Sequence, residues 1–162
     1  MKTFVLKDFL MQSMIAAMYV VLVFIFQVLS FDTIQFRIAE VLLILVFFDK
    51  KHFIGLTIGT FIANYLMSPY GLVDALFGTL ATVIALTLMM FVSKPKWLSV
   101  LFPAFSNAIV IGLMIALMNQ IPFLPIAGWV FLGEAVVMVA LGLPLFYYLD
   151  RHTHFKEIMG SK

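Results

Sequence analysis

The chain has 162 residues, of which 64% are apolar and 11% charged, with a net charge of +2 and a mean hydropathy of +1.15. A soluble domain is about half apolar and a quarter charged, so a water-soluble globule is excluded. Cysteine is absent, which removes disulfide scaffolds, thiolate metal sites and cysteine nucleophiles.

Apolar runs bounded by charge, proline or glycine predict an all-α integral membrane protein with six transmembrane helices, near residues 9–30, 37–49, 52–68, 73–93, 97–119 and 125–149. The first follows Lys2 and Lys7, as a signal peptide would. Its apolar run is longer than a signal core, however, and no small-x-small site closes it, so it reads as a retained helix. Ser13 and Ala17 lie four apart there, with Ala16 adjacent, on a face where another helix can approach closely. That face serves either a partner or ordinary packing within the bundle.

The second run is too short to cross about 30 Å at about 1.5 Å per residue, so it borrows from the preceding loop, tilts, or sits inside the bundle. The third ends near Asn64 and Tyr65, and the fourth begins at Asp74 just after Gly71. Asn107 falls at the middle of the fifth. Glu134 lies nine residues past Pro125, about 14 Å down the sixth. Trp97 and Trp129, near span ends, have the placement of interface anchors.

Basic residues resist translocation and so mark cytoplasmic loops. Lys2, Lys7, Lys50, Lys51, Lys94, Lys96, Arg151, Lys156 and Lys162 all fall on one side of a six-span arrangement. Nine of the ten basic residues therefore place both termini in the cytoplasm, whereas five spans would divide them between the two faces. No internal repeat, linker or low-complexity tract interrupts the chain, so residues 1–162 form a single domain.

An ionisable group at mid-helix costs about 2.5–3.5 kcal/mol on insertion scales, so each one asks for a partner or a purpose. Arg37, Glu40, Asp74 and Glu134 are such groups, with Gln35, Asn64, Tyr65 and Asn107 as uncharged company. With both termini inside, these residues converge in the outer half of the membrane from five helices. Each also has a purely structural account. Arg37 and Glu40, three apart, can pair with each other; Asp74 can favour a helix start; Asn64 and Asn107 can bridge helices. Glu134, with no basic neighbour in sequence, is the hardest to explain structurally.

Catalytic motifs are absent: no HExxH, GxSxG or glycine-rich phosphate loop occurs, and His52, His152 and His154 all lie at the cytoplasmic boundary. An enzyme is not expected, nor is a cofactor, a metal or a nucleic-acid partner. Without a Walker A sequence, any ATP-driven work must come from another protein.

The ordered combination Gln35-Phe36-Arg37-Ile38-Ala39-Glu40, Gly55, Gly59, Asn64, Gly71-Leu72-Val73-Asp74, Phe77-Gly78-Thr79-Leu80-Ala81-Thr82, Gly133-Glu134-Ala135 and Leu141-Gly142-Leu143-Pro144 resembles the queuosine precursor transporter (QueT) family over nearly the whole chain. That resemblance implies a prokaryotic, multi-pass S component of an energy-coupling factor (ECF) transporter. Such a component captures a 7-deazaguanine base from outside and associates with a transmembrane T component and two cytosolic ATPases; similar S components topple in the membrane to deliver cargo. Ser13 stands where the family's first-helix AxxxA docking motif has its first alanine, a departure that weakens the docking inference, although serine is still small.

On a guanine-like ligand, the N1 hydrogen and the 2-amino group lie side by side, and one carboxylate accepts from both. Glu134 or Glu40 is expected to do this. Asn64 or Asn107 would satisfy the carbonyl and ring acceptors, Asp74 would face the aminomethyl cation where the ligand carries one, and Phe36, Tyr65 or Trp129 would stack on the base. Two other classes stay open: an autonomous proton- or ion-coupled carrier using Glu134, and a non-transporting structural subunit of a membrane complex.

Overall fold

A computed structural model describes residues 6–32, 34–92 and 94–160; Lys2 and Lys162 of the charge pattern lie outside them. Every regular element among the described residues is helical. Helix α1 (Leu6–Ile25) breaks at Phe26 and continues as α2 (Gln27–Phe31), together covering the first predicted span. Gln12, Ile15, Ala16, Tyr19 and Val23 form its buried stripe, with the spacing of one helical face.

The short second run is a 3₁₀ helix, Ile38–Phe47, in which every residue from Ala39 to Val46 is buried. Of the three expectations for it, residence inside the bundle is the one observed: α1, α3 (His52–Met67), α4 (Leu72–Phe91) and α7 (Phe123–Val137) all contact it. The tighter winding lengthens it. Ten residues at about 2.0 Å rise reach about 20 Å, against about 15 Å as an α-helix.

The fifth run divides into α5 (Lys96–Ser99) and α6 (Phe102–Asn119), with Pro103 in the first turn of α6. The sixth comprises α7, a π turn at Met138–Gly142 and α8 (Leu143–Asp150). In that turn the Leu143 N–H reaches back to the Met138 carbonyl, a wider loop that accommodates Pro144, which has no N–H to give. Helix α9 (Thr153–Met159) was not expected from the sequence. It folds back on the bundle: Phe155 meets Phe48 edge-on at 5.2 Å and His52 Nε2–H donates to the Met159 carbonyl at 2.8 Å.

Four stretches, Leu6–Ile25, Leu72–Phe91, Lys96–Asn119 and Phe123–Asp150, are long and apolar enough to cross a membrane. The helices Ile38–Phe47 and His52–Met67 are apolar but shorter. The surface is inverted relative to a soluble protein: Phe91, Val28 and Leu124 are about four-fifths exposed, while Arg37 is among the largest fully buried side chains.

Small residues let the helices close on one another, as bilayer packing requires. A Cβ on Gly59 would lie 3.0 Å from Ala16 Cα and 2.9 Å from Tyr19 Cβ, so α1 and α3 touch backbone to backbone. Ala16 is thereby used inside the bundle, whereas Ser13 and Ala17 face outward.

The charged contacts gather at one end of the bundle. Lys51 pairs with Asp8 at 2.5 Å, Lys156 with Asp150 at 2.9 Å, and Lys96 Nζ rests 3.7 Å above the Phe47 ring. At the opposite end, Gln27 donates to the Met67 carbonyl at 2.9 Å and Asn119 to the Tyr70 hydroxyl at 2.6 Å.

Candidate functional site

Seven of the sequence candidates are buried together at this second end and below it. Arg37, Glu40, Asn64 and Glu134 have no exposed surface, and Asp74, Asn107 and Gln35 have at most 3%. They come from the segment before the 3₁₀ helix, from that helix, and from α3, α4, α6 and α7.

Gly133 positions the first of these. A Cβ there would lie 2.6 Å from the Gln35 carbonyl oxygen and 3.0 Å from its nitrogen, so only glycine lets the chain before Arg37 lie flat on α7. Three residues per turn then stack Arg37 and Glu40 on the same side of the 3₁₀ helix. They do not pair directly: among the described residues no carboxylate oxygen lies within 4.0 Å of the guanidinium. None of the three guanidinium nitrogens has a hydrogen-bond partner. The group sits 5.4 Å over the Phe31 ring with the charges of Asp74, Glu134 and Glu40 around it.

Each carboxylate is half engaged. Tyr19 donates its hydroxyl to Glu40 Oε1 at 2.7 Å, which leaves Oε2 without a partner. Asn107 Nδ2 donates to Glu134 Oε1 at 3.1 Å and again leaves Oε2 alone; Asn107 also faces Glu40. Asn64 Nδ2 donates to the Asp74 carbonyl at 3.3 Å, so it does bridge α3 and α4. Asp74 lies in the first turn of α4, and its Oδ1 is unpartnered. With Gln35 Oε1, Asn64 Oδ1 and Asn107 Oδ1 in the same state, the cluster holds a surplus of acceptor oxygens around one guanidinium. Such atoms are costly when buried, and the arrangement suits a ligand rich in N–H donors with a carbonyl for Arg37.

A cavity of about 320 Å³ opens onto the cluster at this end, lined by Phe31, Asp32, Gln35, Tyr70, Asp74 and Met114 among others. Its volume falls at the lower end of the roughly 300–1,000 Å³ range of small-molecule sites. Gln35 and Asp74 belong both to its wall and to the buried cluster.

Tyr65 and Trp129 are placed differently from the stacking role expected of them, while the exposure of Trp129 fits its other expectation, an interface anchor. They are 53% and 46% exposed on outer faces, and neither lines the cavity. Successive helical residues point about 100° apart, so Asn64 inside puts Tyr65 outside, where it lies parallel to Phe61 with ring centroids 6.3 Å apart. Val130, fully buried, does the same to Trp129. The aromatic walls of the cavity are Phe31 and Tyr70 instead. Tyr19 was missed by sequence reasoning. Its signal was available: a hydroxyl in mid-helix, on the stripe set by Gln12, Ile15, Ala16 and Val23.

Comparison with known proteins agrees with the resemblance seen in the sequence. No solved structure matches the chain. The Queuosine precursor transporter QueT of Lactococcus lactis subsp. cremoris (strain MG1363) is 37% identical over 83 residues, which cover 50% of this chain and 48% of that protein. The family model described as QueT transporter matches residues 9–151, a stretch that contains every member of the buried cluster. The chain therefore belongs to the QueT transporter family.

Proposed function

We propose that this protein is the substrate-binding S component of an ECF importer in a prokaryotic cell membrane, and that it captures a queuosine precursor, a 7-deazaguanine base, at the outer face. Six membrane passages put both termini and the lysine-rich end in the cytoplasm and the cavity outside, in accord with the positive-inside rule. The observation that carries the reading is the acceptor-rich cluster around Arg37 beneath that cavity. A 7-deazaguanine presents the complementary edge: N1–H and a 2-amino group as adjacent donors, and a carbonyl between them and the substituted five-membered ring.

Glu134 Oε2 or Glu40 Oε2 accepts from the paired donors, and Arg37 donates to the carbonyl. Asn64 and Asn107 serve the remaining ring atoms. Asp74, at the wall of the cavity, faces the aminomethyl cation of 7-aminomethyl-7-deazaguanine, and Phe31 and Tyr70 flank the ring. Three carboxylates against one guanidinium favour a cationic ligand. The outward face of α1 at Ser13 and Ala17 meets the T component, which brings the two cytosolic ATPases.

Titration of purified protein with 7-aminomethyl-7-deazaguanine tests the site. Hydrogen bonds to charged groups are worth about 1.5–3 kcal/mol, so Glu134→Gln or Glu40→Gln should weaken binding by about tenfold or more. Wild-type affinity in both variants would refute the carboxylate assignment. Proteoliposomes test the assembly: uptake should require the T component and ATPases, and uptake by this chain alone would replace the S-component reading with an autonomous carrier.

A further inference from the structure

The charged end of the bundle holds a second cavity, of about 450 Å³, between the C-terminal end of the 3₁₀ helix, the end of α4 and the start of α5. Its wall is apolar at Phe47, Phe48, Met89 and Met90 and cationic at Lys50 and Lys96. Lys96 Nζ lies 3.7 Å above the Phe47 ring and 5.2 Å from the centroid of Phe146, an aromatic seat that fixes the ammonium in place. No carboxylate oxygen among the described residues lies within 4.0 Å of it. Asp150, which faces it, is held by Lys156 at 2.9 Å, and Lys94 adds a further positive charge. Asp49, the one acid in the cavity wall among the described residues, turns its Oδ1 to the Lys51 backbone N–H at 2.9 Å.

We propose that this cavity binds the headgroup phosphate of an anionic phospholipid of the cytoplasmic leaflet, held by Lys50 and Lys96. Charge complementarity selects the occupant: basic pockets between helices on the cytoplasmic side suit anionic headgroups, whose leaflet potential already draws such segments. Its surroundings suit a lipid over a free phosphate. Phe91, 83% exposed at the end of α4, and Trp97, 55% exposed beside Lys96, give acyl chains an apolar surface next to the polar site and place it at the membrane interface. The proposal rests on the membrane-embedded reading of the bundle and is independent of which base the other end binds.

Native mass spectrometry of the purified full chain tests it, with phosphatidylglycerol, phosphatidylcholine and soluble glycerol phosphate as separate additions. Wild-type protein should retain phosphatidylglycerol in preference to phosphatidylcholine, and glycerol phosphate should not displace it. Lys50→Gln and Lys96→Gln should each lower retention roughly fivefold, as expected for one basic residue at an anionic surface, while Lys7→Gln, exposed on α1 and outside the cavity wall, leaves it unchanged. Thermal unfolding of each variant, measured in parallel, should match wild type and reports an intact fold; Lys50, exposed and outside the core, keeps the test open if Lys96→Gln unfolds. Equal retention of both lipids, wild-type retention in Lys50→Gln, or displacement by glycerol phosphate alone would each overturn the proposal.

Discussion

Gly133→Ala is the sharpest probe of how the fold holds the site, because it adds one methyl group and changes no polar atom. The new Cβ would sit 2.6 Å from the Gln35 carbonyl oxygen and 2.8 Å from the carbonyl carbon. Both are backbone atoms and cannot swing aside as the tip of a side chain can. Overpacking of this kind costs about 1–3 kcal/mol, and the cheapest relief is to lift the segment before the 3₁₀ helix off α7. Arg37, two residues on, moves with it. If relief comes wholly from that displacement, the fraction of molecules with Arg37 in place falls by about 5- to 150-fold, and ligand affinity falls in proportion. Gly128→Ala is the internal control, since on the same helix its Cβ would meet nothing within 4 Å. Calorimetric titration with the deazaguanine and a thermal unfolding curve on both variants measure the two effects. Equal affinity and equal melting temperature for Gly133→Ala and Gly128→Ala would refute the packing argument.

Tyr19→Phe removes the donor to Glu40 Oε1 at full burial, and an orphaned buried acceptor costs about 1–3 kcal/mol; a lowered melting temperature with weakened ligand binding is expected. Gly78→Ala places a Cβ 2.0 Å from Asn64 Nδ2 and 3.3 Å from Asp74 Oδ1. Displacing that amide also breaks its bond to the Asp74 carbonyl, so titration should show a several-fold loss of affinity together with a lowered melting temperature. Ala17→Leu enlarges an outward-facing residue; ligand affinity and melting should stay at wild-type values while uptake in proteoliposomes with the T component and ATPases falls.

The boundaries of the helices were legible because lysines, prolines and glycines punctuate the apolar runs, and the gathering of Lys51, Lys96 and Lys156 at one end follows from the same pattern. The buried polar residues were legible for a related reason: in a chain with so little charge, Arg37, Glu40, Asp74 and Glu134 have no solvent to explain them. Direction around a helix was harder to read. In helices apolar on every side, hydrophobic periodicity does not distinguish the inner face from the lipid face, so the sequence offers Tyr65 and Trp129 as stacking residues and does not single out Tyr19. The 3₁₀ winding of Ile38–Phe47 and the fold-back of α9 depend on contacts with distant elements, and local sequence carries no record of these.

The short 3₁₀ helix explains why the site can exist at all. A helix that crossed the bilayer with one face to lipid would have to keep its charges near an end or pay for them in hydrocarbon. Enclosed by α1, α3, α4 and α7, Ile38–Phe47 exposes no face, so Arg37 and Glu40 at its start are surrounded by protein. Their neighbours can then be the other polar groups rather than acyl chains. Helix association in a membrane lacks the hydrophobic drive that operates in water. The bundle relies instead on close approach at Gly59 and Gly133 and on the bonds Tyr19–Glu40, Asn64–Asp74 and Asn107–Glu134. Each of those bonds joins two different helices and leaves a neighbouring oxygen without a partner, so the contacts that hold the helices together also form the acceptor surface of the site.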